Sequence, residues 1–326
     1  CNGAGNFATW VHRFWPFLCA LYVIAAGLAF LETAANPFIT AMGPAESAAQ
    51  RLNLAQSFNG FGGFLAPFIG GALILTGIEH SDSELAAMSP QALEAYRLAE
   101  AQAVQYPYLL LAGVVLALAL LIYLIRFPAA EEANDAAAGS PSEPRSRLYW
   151  AVVAQFFYVG AQVTIWSYFI NFAQDLVDAP ERTAAHYLGF SLLGFMIGRF
   201  LGTALMRYVR AEALLAAYAA INIALCLVAM LASGCTALWA LGLTGIFLSI
   251  MFPTIFALGV KGLGKASKFG SSLIVMAFVG GALVPPITGW VADRSGSIQL
   301  SLAVPILCFA VVALFGLRCL REYRHA

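Results

Sequence analysis

The sequence has 326 residues, of which 61% are hydrophobic and only 10% are charged. Soluble domains carry about 25% charged residues, so this composition excludes an ordinary soluble protein and predicts a polytopic membrane protein with a mean hydropathy of +0.80. The formal net charge is zero, which argues against a nucleic-acid partner. The six cysteines form no CxxC pair. We interpret them as small apolar packing residues rather than metal ligands or disulfides.

Nine apolar segments predict nine transmembrane helices in an all-α protein, because a spanning helix needs about 20 mostly apolar residues. An odd number of spans places the two termini on opposite sides of the membrane. The segments are residues 16–41, 52–77, 107–126, 148–173, 185–209, 213–233, 236–260, 267–291 and 299–319.

The distribution of lysine and arginine predicts the orientation, because these residues concentrate in cytoplasmic loops. Arg51, Lys261 and Arg318 lie at span ends on the same side, together with most other basic residues. We therefore expect the C-terminus in the cytoplasm and residues 1–15 outside.

Two loops between predicted spans are long. Residues 78–106 are expected outside, where Ser89-Pro90 is typical of the cap and first position of a short helix. Residues 127–147 are rich in Ala, Pro, Ser and Glu. That composition predicts a flexible cytoplasmic linker with no core of its own.

This linker separates three predicted helices from six. Membrane bundles are commonly built from repeats of three helices, so we expect residues 148–326 to form a complete C-terminal six-helix bundle. Residues 1–126 would then be the second half of an N-terminal bundle, in a fragment that lacks the first three of twelve helices. The alternative is a natural nine-helix protein.

One carboxylate, Glu32, lies inside the first predicted span, about 24 Å from its start at 1.5 Å per residue. A charged side chain at that depth costs about 2.5–3.5 kcal/mol on insertion scales, and intramembrane acids usually mark a pathway. Glu32 is therefore predicted to take up and release a proton. The alternative is a structural acid paired with Arg199, the cation that we expect within a span.

Gln56 and Asn59 lie three residues apart on the second predicted span, so both amides share one helix face with Asn53. An amide both donates and accepts hydrogen bonds, which suits the hydroxyls of a sugar. Hydrogen bonding between helices is the alternative role for such side chains in a membrane.

A second polar stripe follows the linker. Gln155, Tyr158, Gln162 and Trp166 recur at intervals of three and four residues, so they share one face of a helix. Amides that bind hydroxyls and rings that pack on the apolar face of a sugar are typical of a carbohydrate surface. Interfacial anchoring is the alternative for the aromatic residues.

Several residues are predicted to have structural or gating roles. Arg199 lies in GFMIGRFLG, where glycines recur every four residues and indicate close helix contact. Prolines interrupt three spans, and such breaks are tolerated where backbone is buried in protein or lines a cavity. The remaining residues in this group are Asn36, Pro37, Pro253 and Pro285.

The sequence contains no phosphate-binding loop, no GxSxG and no HExxH motif. ATP-driven transport and membrane hydrolysis therefore have no residues to support them. The four histidines lie in predicted loops or at the tail, so a histidine proton relay is not expected. We predict no metal site, no cofactor and no enzymatic activity.

Six segments of the chain resemble one known family. They are LETAANPF, GPAESAAQRLNLAQSFN, YVGAQVTIWSY, IGRFLGT, PTIFALGVKGLG and KFGSSLIVMAFVGGALVPPITG, in this order. Together they resemble the fucose-galactose-glucose:proton symporters of the major facilitator superfamily. The resemblance covers nearly the whole chain and begins at what would be the family's fourth helix.

The resemblance implies a twelve-helix fold of two six-helix halves around a central sugar site. It implies that Glu32 matches the fourth-helix carboxylate, which takes part in proton coupling and sugar binding. Gln56 and Asn59 match the fifth-helix amides that face the sugar. The family also has an acid on its first helix, which these segments do not include.

Two positions bear on the choice of sugar. The stretch YVGAQVTIW, with Gln162 and Trp166, resembles the fucose branch, because the glucose/galactose branch tends to have an acid at the Gln162 position. Phe252 stands where the fucose branch has a tyrosine.

We therefore expect proton-coupled symport of a monosaccharide, L-fucose, by alternating access, with the proton as coupling ion. The protein is expected to act as a monomer in the lipid bilayer of a bacterial inner membrane. The alternatives are a glucose/galactose symporter of the same family and a membrane sugar sensor that does not transport. The predicted substrate-binding residues are Glu32, Gln56, Asn59, Gln155, Tyr158, Gln162 and Trp166.

Overall fold

A computed structural model describes residues 14–74, 88–125 and 143–325. Within these ranges the regular elements are α-helices joined by short turns, four of which are 3-10 turns. The helices are α1 (Phe14–Ala41), α2 (Ala48–Ile74), α3 (Pro90–Leu124), α4 (Glu143–Val177), α5 (Glu181–Leu205), α6 (Ala211–Leu231), α7 (Gly234–Leu248), α8 (Met251–Val260), α9 (Ser267–Met276), α10 (Gly280–Ser295) and α11 (Ala303–His325).

Seven helical stretches among the described residues are long and apolar enough to cross a membrane. Each overlaps one of the predicted spans, so the prediction of an all-α polytopic membrane protein is confirmed. They are Leu18–Ala41, Arg145–Val177, Thr183–Leu205, Ala211–Leu231, Gly234–Val260, Ser267–Ser295 and Leu300–Glu322.

The predicted spans at 52–77 and 107–126 also fall on helices, namely α2 and α3, but they are not among the seven. The apolar part of α3 is the shorter stretch Tyr108–Leu124. Helix α2 carries Arg51, Asn53 and Gln56 in its first three turns. The count of nine spans therefore stays a prediction.

Helix α3 begins where the sequence predicts a helix start. The Ser89 hydroxyl accepts a hydrogen bond of 3.3 Å from the Ala92 N–H, and Pro90 occupies the first turn. The prediction of a short, separate helix is wrong, because the element continues without a break to Leu124. Residues 91–106 are rich in alanine, glutamine and glutamate, which are strong helix formers. The preceding part of the predicted outer loop, residues 78–87, lies outside the described residues.

The chain divides into two compact units, described separately. One comprises the described parts of Cys1–Gly27 and Gly62–Ala129, and the other comprises those of Leu28–Phe61 and Ala130–Ala326. Residues 127–142 of the predicted linker lie outside the described residues, and residues 143–147 form the first turns of α4. The predicted domains, 1–126 and 148–326, stay a prediction.

The larger unit contains the packed core. In it α11 packs against α6 and α4, α10 packs against α4, and α7 packs against α5 and α6. Tight packing supplies much of the contact energy between helices in a membrane, where lipid tails are as apolar as the side chains. The aromatic residues that are fully buried here are Tyr158, Phe169, Phe172, Phe256, Phe309 and Phe315.

Glycines on α5 bring its backbone against the span Gly234–Val260. A Cβ atom at Gly198 would lie 2.5 Å from the Ile246 carbonyl oxygen, and one at Gly202 would lie 2.4 Å from an Ile250 methyl carbon. Neither position leaves room for a side chain. The glycine repeat around Arg199 therefore acts as the close-contact face that the sequence predicts.

Candidate functional site

The turn between α1 and α2 is held by Arg51. Its guanidinium donates to the carbonyl oxygens of Thr40 at 2.8 Å, Pro44 at 2.9 Å and Ile39 at 3.4 Å. Two of these carbonyls lie in the last turn of α1, where helical partners run out. Gly43 has a φ of +151°, and a Cβ there would lie 3.1 Å from the guanidinium. Arg51 thereby fastens the end of α1 to the start of α2.

These two helices bring four polar side chains together, which we call the amide cluster: Glu32, Asn36, Gln56 and Asn59. The Glu32 Oε2 atom accepts hydrogen bonds from the Asn36 amide and, at 3.3 Å, from the Gln56 amide. Gln56 also donates to the Asn36 oxygen at 3.0 Å, and Asn59 donates to the Gln56 oxygen at 3.0 Å. Glu32, Gln56 and Asn59, which the sequence places on two separate helices, are therefore connected by hydrogen bonds.

The amide cluster has the composition of a site that can exchange partners. Every hydrogen bond within the amide cluster joins two side chains, and both bonds to Glu32 arrive at Oε2. Among the described residues no donor reaches the other carboxylate oxygen, Oε1. Glu32 is half-buried, Gln56 is 8% exposed and Asn59 is exposed. A sugar hydroxyl could replace any of these side-chain hydrogen bonds without breaking a hydrogen bond of the backbone.

Asn36 and Pro37 shape α1 beside the carboxylate. Asn36 is 2% exposed and holds Glu32 from within the same helix, one turn away. Pro37 lies inside α1 and has no N–H to donate to the preceding turn. The Thr40 hydroxyl donates back to the Pro37 carbonyl at 2.8 Å.

Arg199 is buried but binds main chain rather than the acid. Its Nε donates to the Ser249 carbonyl and its Nη1 donates to the Gln56 carbonyl, both at 2.7 Å. Among the described residues, it forms no ion pair with Glu32. The guanidinium also lies 4.5 Å above the centre of the Phe195 ring, a cation–π contact. Its geometry is that of a tie between helices.

The Ser249 carbonyl bound by Arg199 and the Leu248 carbonyl bound by Tyr158 lie at an interruption in one span. Helix α7 ends at Leu248 and α8 begins at Met251. The Tyr158 hydroxyl donates to the Leu248 carbonyl at 3.2 Å, next to the Ser249 carbonyl that Arg199 holds. A helix end leaves carbonyls without partners, and lipid provides none. Tyr158 and Arg199 supply the hydrogen-bond donors that these carbonyls lack.

The other members of the predicted stripe have different surroundings. Gln155 is fully buried, and among the described residues neither atom of its amide has a hydrogen-bond partner. The indole N–H of Trp166 also lacks one, while its ring packs edge-on against Phe195 at 5.1 Å. Gln162 is half-buried. Buried polar atoms without partners are costly, so Gln155 and Trp166 are suited to a ligand or to water.

Phe252 and Pro253 follow the interruption directly, whereas Pro285 lies inside α10. Pro253 is buried in the first turn of α8, and the Pro285 carbonyl within α10 accepts a hydrogen bond of 3.2 Å from Tyr168. Phe252 is 8% exposed, and its ring lies 5.4 Å from that of Phe278. An apolar ring packed on other rings fits this position.

Sequence reasoning missed one set of polar contacts. Asn53 donates to the Thr254 hydroxyl at 3.0 Å, although the two residues lie 201 positions apart. Thr254 stands in the apolar segment MFPTIF, where a lone threonine gives no local signal of a partner.

A family model of the Major Facilitator Superfamily matches residues 2–285. The chain is 46% identical to the L-fucose-proton symporter of Escherichia coli, covering 97% of this chain and 76% of that relative. It is 35% identical to the L-fucose-proton symporter of Haemophilus influenzae, covering 97% and 79%. It is 39% identical to the glucose/galactose transporter of Brucella abortus, covering 92% and 71%.

Solved structures agree with this similarity. A crystal structure of the E. coli fucose:proton symporter matches with a TM-score of 0.86 and 44% identity, over 97% of this chain and 80% of that one. A second crystal structure, of a Major Facilitator Superfamily transporter in the outward conformation, matches with a TM-score of 0.84 and 42% identity, over 96% and 80%. The resemblance seen in the sequence is confirmed, and this chain belongs to the Major Facilitator Superfamily.

Proposed function

We propose that this protein is a proton-coupled symporter that carries L-fucose across a bacterial inner membrane by alternating access. Its similarity to two L-fucose-proton symporters supports this function. The observation that carries the proposal is the hydrogen bonding of Glu32 by neutral amides of Asn36 and Gln56. A carboxylate with neutral partners can change its protonation state without leaving a cation unpaired.

Glu32 is the proposed proton carrier. When it is ionised, the Asn36 and Gln56 amides solvate it. A proton arriving from outside neutralises the carboxylate and weakens its hold on these donors, because hydrogen bonds to charged groups are the stronger ones. The Gln56 amide is then free to bind a sugar hydroxyl. Proton and sugar binding are linked in this way through one shared side chain.

In this proposal, the sugar is bound by the α2 amides of the amide cluster and by the polar stripe on α4. Gln56 and Asn59 supply donors and acceptors for hydroxyls, and Gln155, Gln162 and Trp166 complete the site. Tyr158 acts on the same site through the Leu248 carbonyl that its hydroxyl holds. Arg199, Pro253 and Pro285 serve the movement of the helices rather than the sugar.

The protein is proposed to work as a monomer in the lipid bilayer, with its C-terminus in the cytoplasm. The basic residues at the ends of the spans support that orientation. The proton is the coupling ion, and the mechanism requires no cofactor.

Proton uptake driven by sugar tests the function directly. De-energised cells that express the complete protein are given L-fucose, and alkalinisation of the medium is recorded. Glu32→Gln should abolish the signal, because glutamine mimics the protonated acid and cannot release a proton, while counterflow of labelled L-fucose should continue. Asp175→Asn, an exposed acid on α4 outside the cluster, is the matched control. Unchanged proton uptake in Glu32→Gln would overturn the assignment.

A glucose/galactose symporter is the second candidate, favoured by the 39% identity to the Brucella protein. Competition separates the two: L-fucose uptake should be inhibited by unlabelled L-fucose and not by equal concentrations of glucose or galactose. A membrane sugar sensor would bind sugar and show no counterflow in vesicles.

A further inference from the structure

One face of α2 makes a row of hydrogen bonds to the helices that follow the linker. The Gln50 amide donates to the Thr203 carbonyl at 3.4 Å, and the Asn53 amide donates to the Thr254 hydroxyl at 3.0 Å. One turn further on, the Gln56 carbonyl accepts from Arg199 at 2.7 Å. Positions three residues apart lie on the same side of a helix. These contacts therefore form a seam along α2.

The Asn53–Thr254 pair is the most deeply buried side-chain contact of this seam. Both residues are fully buried. The Asn53 amide also lies 3.6 Å from the Met206 sulfur, while its oxygen has no partner among the described residues. The Asn53 amide nitrogen also donates within α2, to the Ala49 carbonyl at 2.8 Å. The bond to Thr254 can therefore break while the Asn53 amide keeps an acceptor in its own helix.

The position of Thr254 connects this contact to the interruption between α7 and α8. Arg199 bridges the Gln56 carbonyl and the Ser249 carbonyl at the interruption. Thr254 follows it by one turn, and its N–H donates to the Ile250 carbonyl at 3.1 Å. Helix α2 is thus attached to the interruption through Arg199 and directly to α8 through Thr254. Movement of the interrupted span away from α2 must break both attachments.

The seam lies toward one end of the helices. Asn53 is in the second turn of α2, next to the Arg51 turn, and Thr254 lies six residues before the end of α8 at Val260. Lys261 follows that end, so both helices approach the side of the membrane that carries the basic residues. The positive-inside rule makes this the cytoplasmic side.

We infer that Asn53 and Thr254 form a clasp that closes the cytoplasmic side of the sugar pathway, and that their separation opens the site inward. This role rests on the proposed transport function, because a clasp of this kind has meaning only in an alternating-access cycle. It assigns to two buried residues outside the amide cluster a direct part in the movement.

Thiol labelling tests the clasp without measuring transport. Ser57 is fully buried one turn beyond Asn53, and its hydroxyl donates only within α2, to the Asn53 carbonyl at 2.8 Å. A Ser57→Cys reporter, in a background without the natural cysteines, is exposed to a membrane-impermeant maleimide in inside-out and right-side-out vesicles. Thr254→Val is compared with Thr288→Val, a buried threonine whose hydroxyl bonds only within its own helix.

Thr254→Val should raise the labelling rate about threefold from the cytoplasmic side, since hydrogen bonds between membrane helices average about 0.6 kcal/mol and 1.4 kcal/mol is tenfold. Thr288→Val should not change it. Equal rates in the two variants, or no labelling in either, would overturn the clasp. An increase only from the outside would also overturn it.

Cross-linking provides a second, opposite perturbation. The double variant Asn53→Cys/Thr254→Cys is treated with a short bifunctional thiol reagent that a reductant can cleave. Cross-linking should stop L-fucose counterflow until reductant is added, while each single variant should retain counterflow. Counterflow that persists in protein shown to be cross-linked would contradict the clasp, as would failure of the two thiols to react together. If L-fucose proves not to be the substrate, the labelling result still decides the clasp on its own.

Discussion

The amide cluster and the interruption between α7 and α8 both place polar groups at membrane depth, but they satisfy them differently. In the cluster, Glu32 and the amides bond to one another through side chains. At the interruption, Tyr158 and Arg199 bond to main-chain carbonyls. Side-chain partners can be exchanged for a ligand, whereas unpaired backbone in lipid has no substitute. The difference separates groups suited to binding from groups that maintain the fold.

The largest effect is expected for Arg199→Ala. The substitution leaves the Ser249 carbonyl at the interruption without a donor and removes a second donor from the Gln56 carbonyl, and a buried unsatisfied group costs about 1–3 kcal/mol. The midpoint of thermal unfolding in detergent should fall by about 5–10 °C, with reduced yield. Arg199→Lys, which keeps the charge but lacks the fork of donors, should lie between wild type and alanine. A stable Arg199→Ala protein would remove the distinction between the two regions.

Gln56→Ala should affect sugar affinity more than stability. Its side chain bonds only to other side chains of the cluster, so the fold loses no backbone partner. We expect about a tenfold rise in KM for L-fucose uptake, equivalent to about 1.4 kcal/mol, with a change of Tm below about 2 °C. A Tm loss as large as that of Arg199→Ala would show that the cluster is structural.

Tyr158→Phe should lower the Tm and leave the KM nearly unchanged, which is the reverse of Gln56→Ala. The loss of Tm should be smaller than that of Arg199→Ala. The substitution removes one hydrogen bond to the Leu248 carbonyl; such bonds between membrane helices average about 0.6 kcal/mol and reach about 1.7 kcal/mol. The Tm should fall by about 2–4 °C, and the KM for L-fucose should stay within about twofold. A large rise in KM at unchanged Tm would instead indicate direct sugar contact by the hydroxyl.

Gln155→Leu is expected to have the smallest effect on stability, neutral or slightly positive. The buried amide has no partner among the described residues, and replacing unsatisfied polar atoms by an apolar group of similar shape is nearly neutral. Because Gln155 is a proposed sugar ligand, the affinity for L-fucose should still fall severalfold, as measured by uptake. A clear loss of Tm would show that the amide is satisfied in the membrane by a structural partner.

Much of the amide cluster could be predicted from the sequence, because Glu32, Gln56 and Asn59 lie on consecutive helices joined by a short turn. Helical spacing places Gln56 and Asn59 on one face, and the turn brings Glu32 beside them. The family resemblance pointed to the same three residues. Their roles in proton and sugar binding stay proposals.

The contacts around the interruption could not be predicted in the same way. Tyr158 reaches Leu248 across 90 positions, and Asn53 reaches Thr254 across 201. Helical periodicity identifies the face of a side chain but not the helix that it meets. Helical periodicity also gave no reason to expect that the hydroxyl of Tyr158, a member of the predicted sugar stripe, would donate a hydrogen bond to a main-chain carbonyl.

Because Arg51 ties the end of α1 to the start of α2, the proposed proton carrier and the proposed sugar ligands belong to one hairpin. A displacement of Glu32 during the transport cycle would therefore move Gln56 and Asn59 together with it, as one rigid unit. A tightly fastened hairpin would thus discourage slippage, in which protons leak inward without cargo and dissipate the gradient.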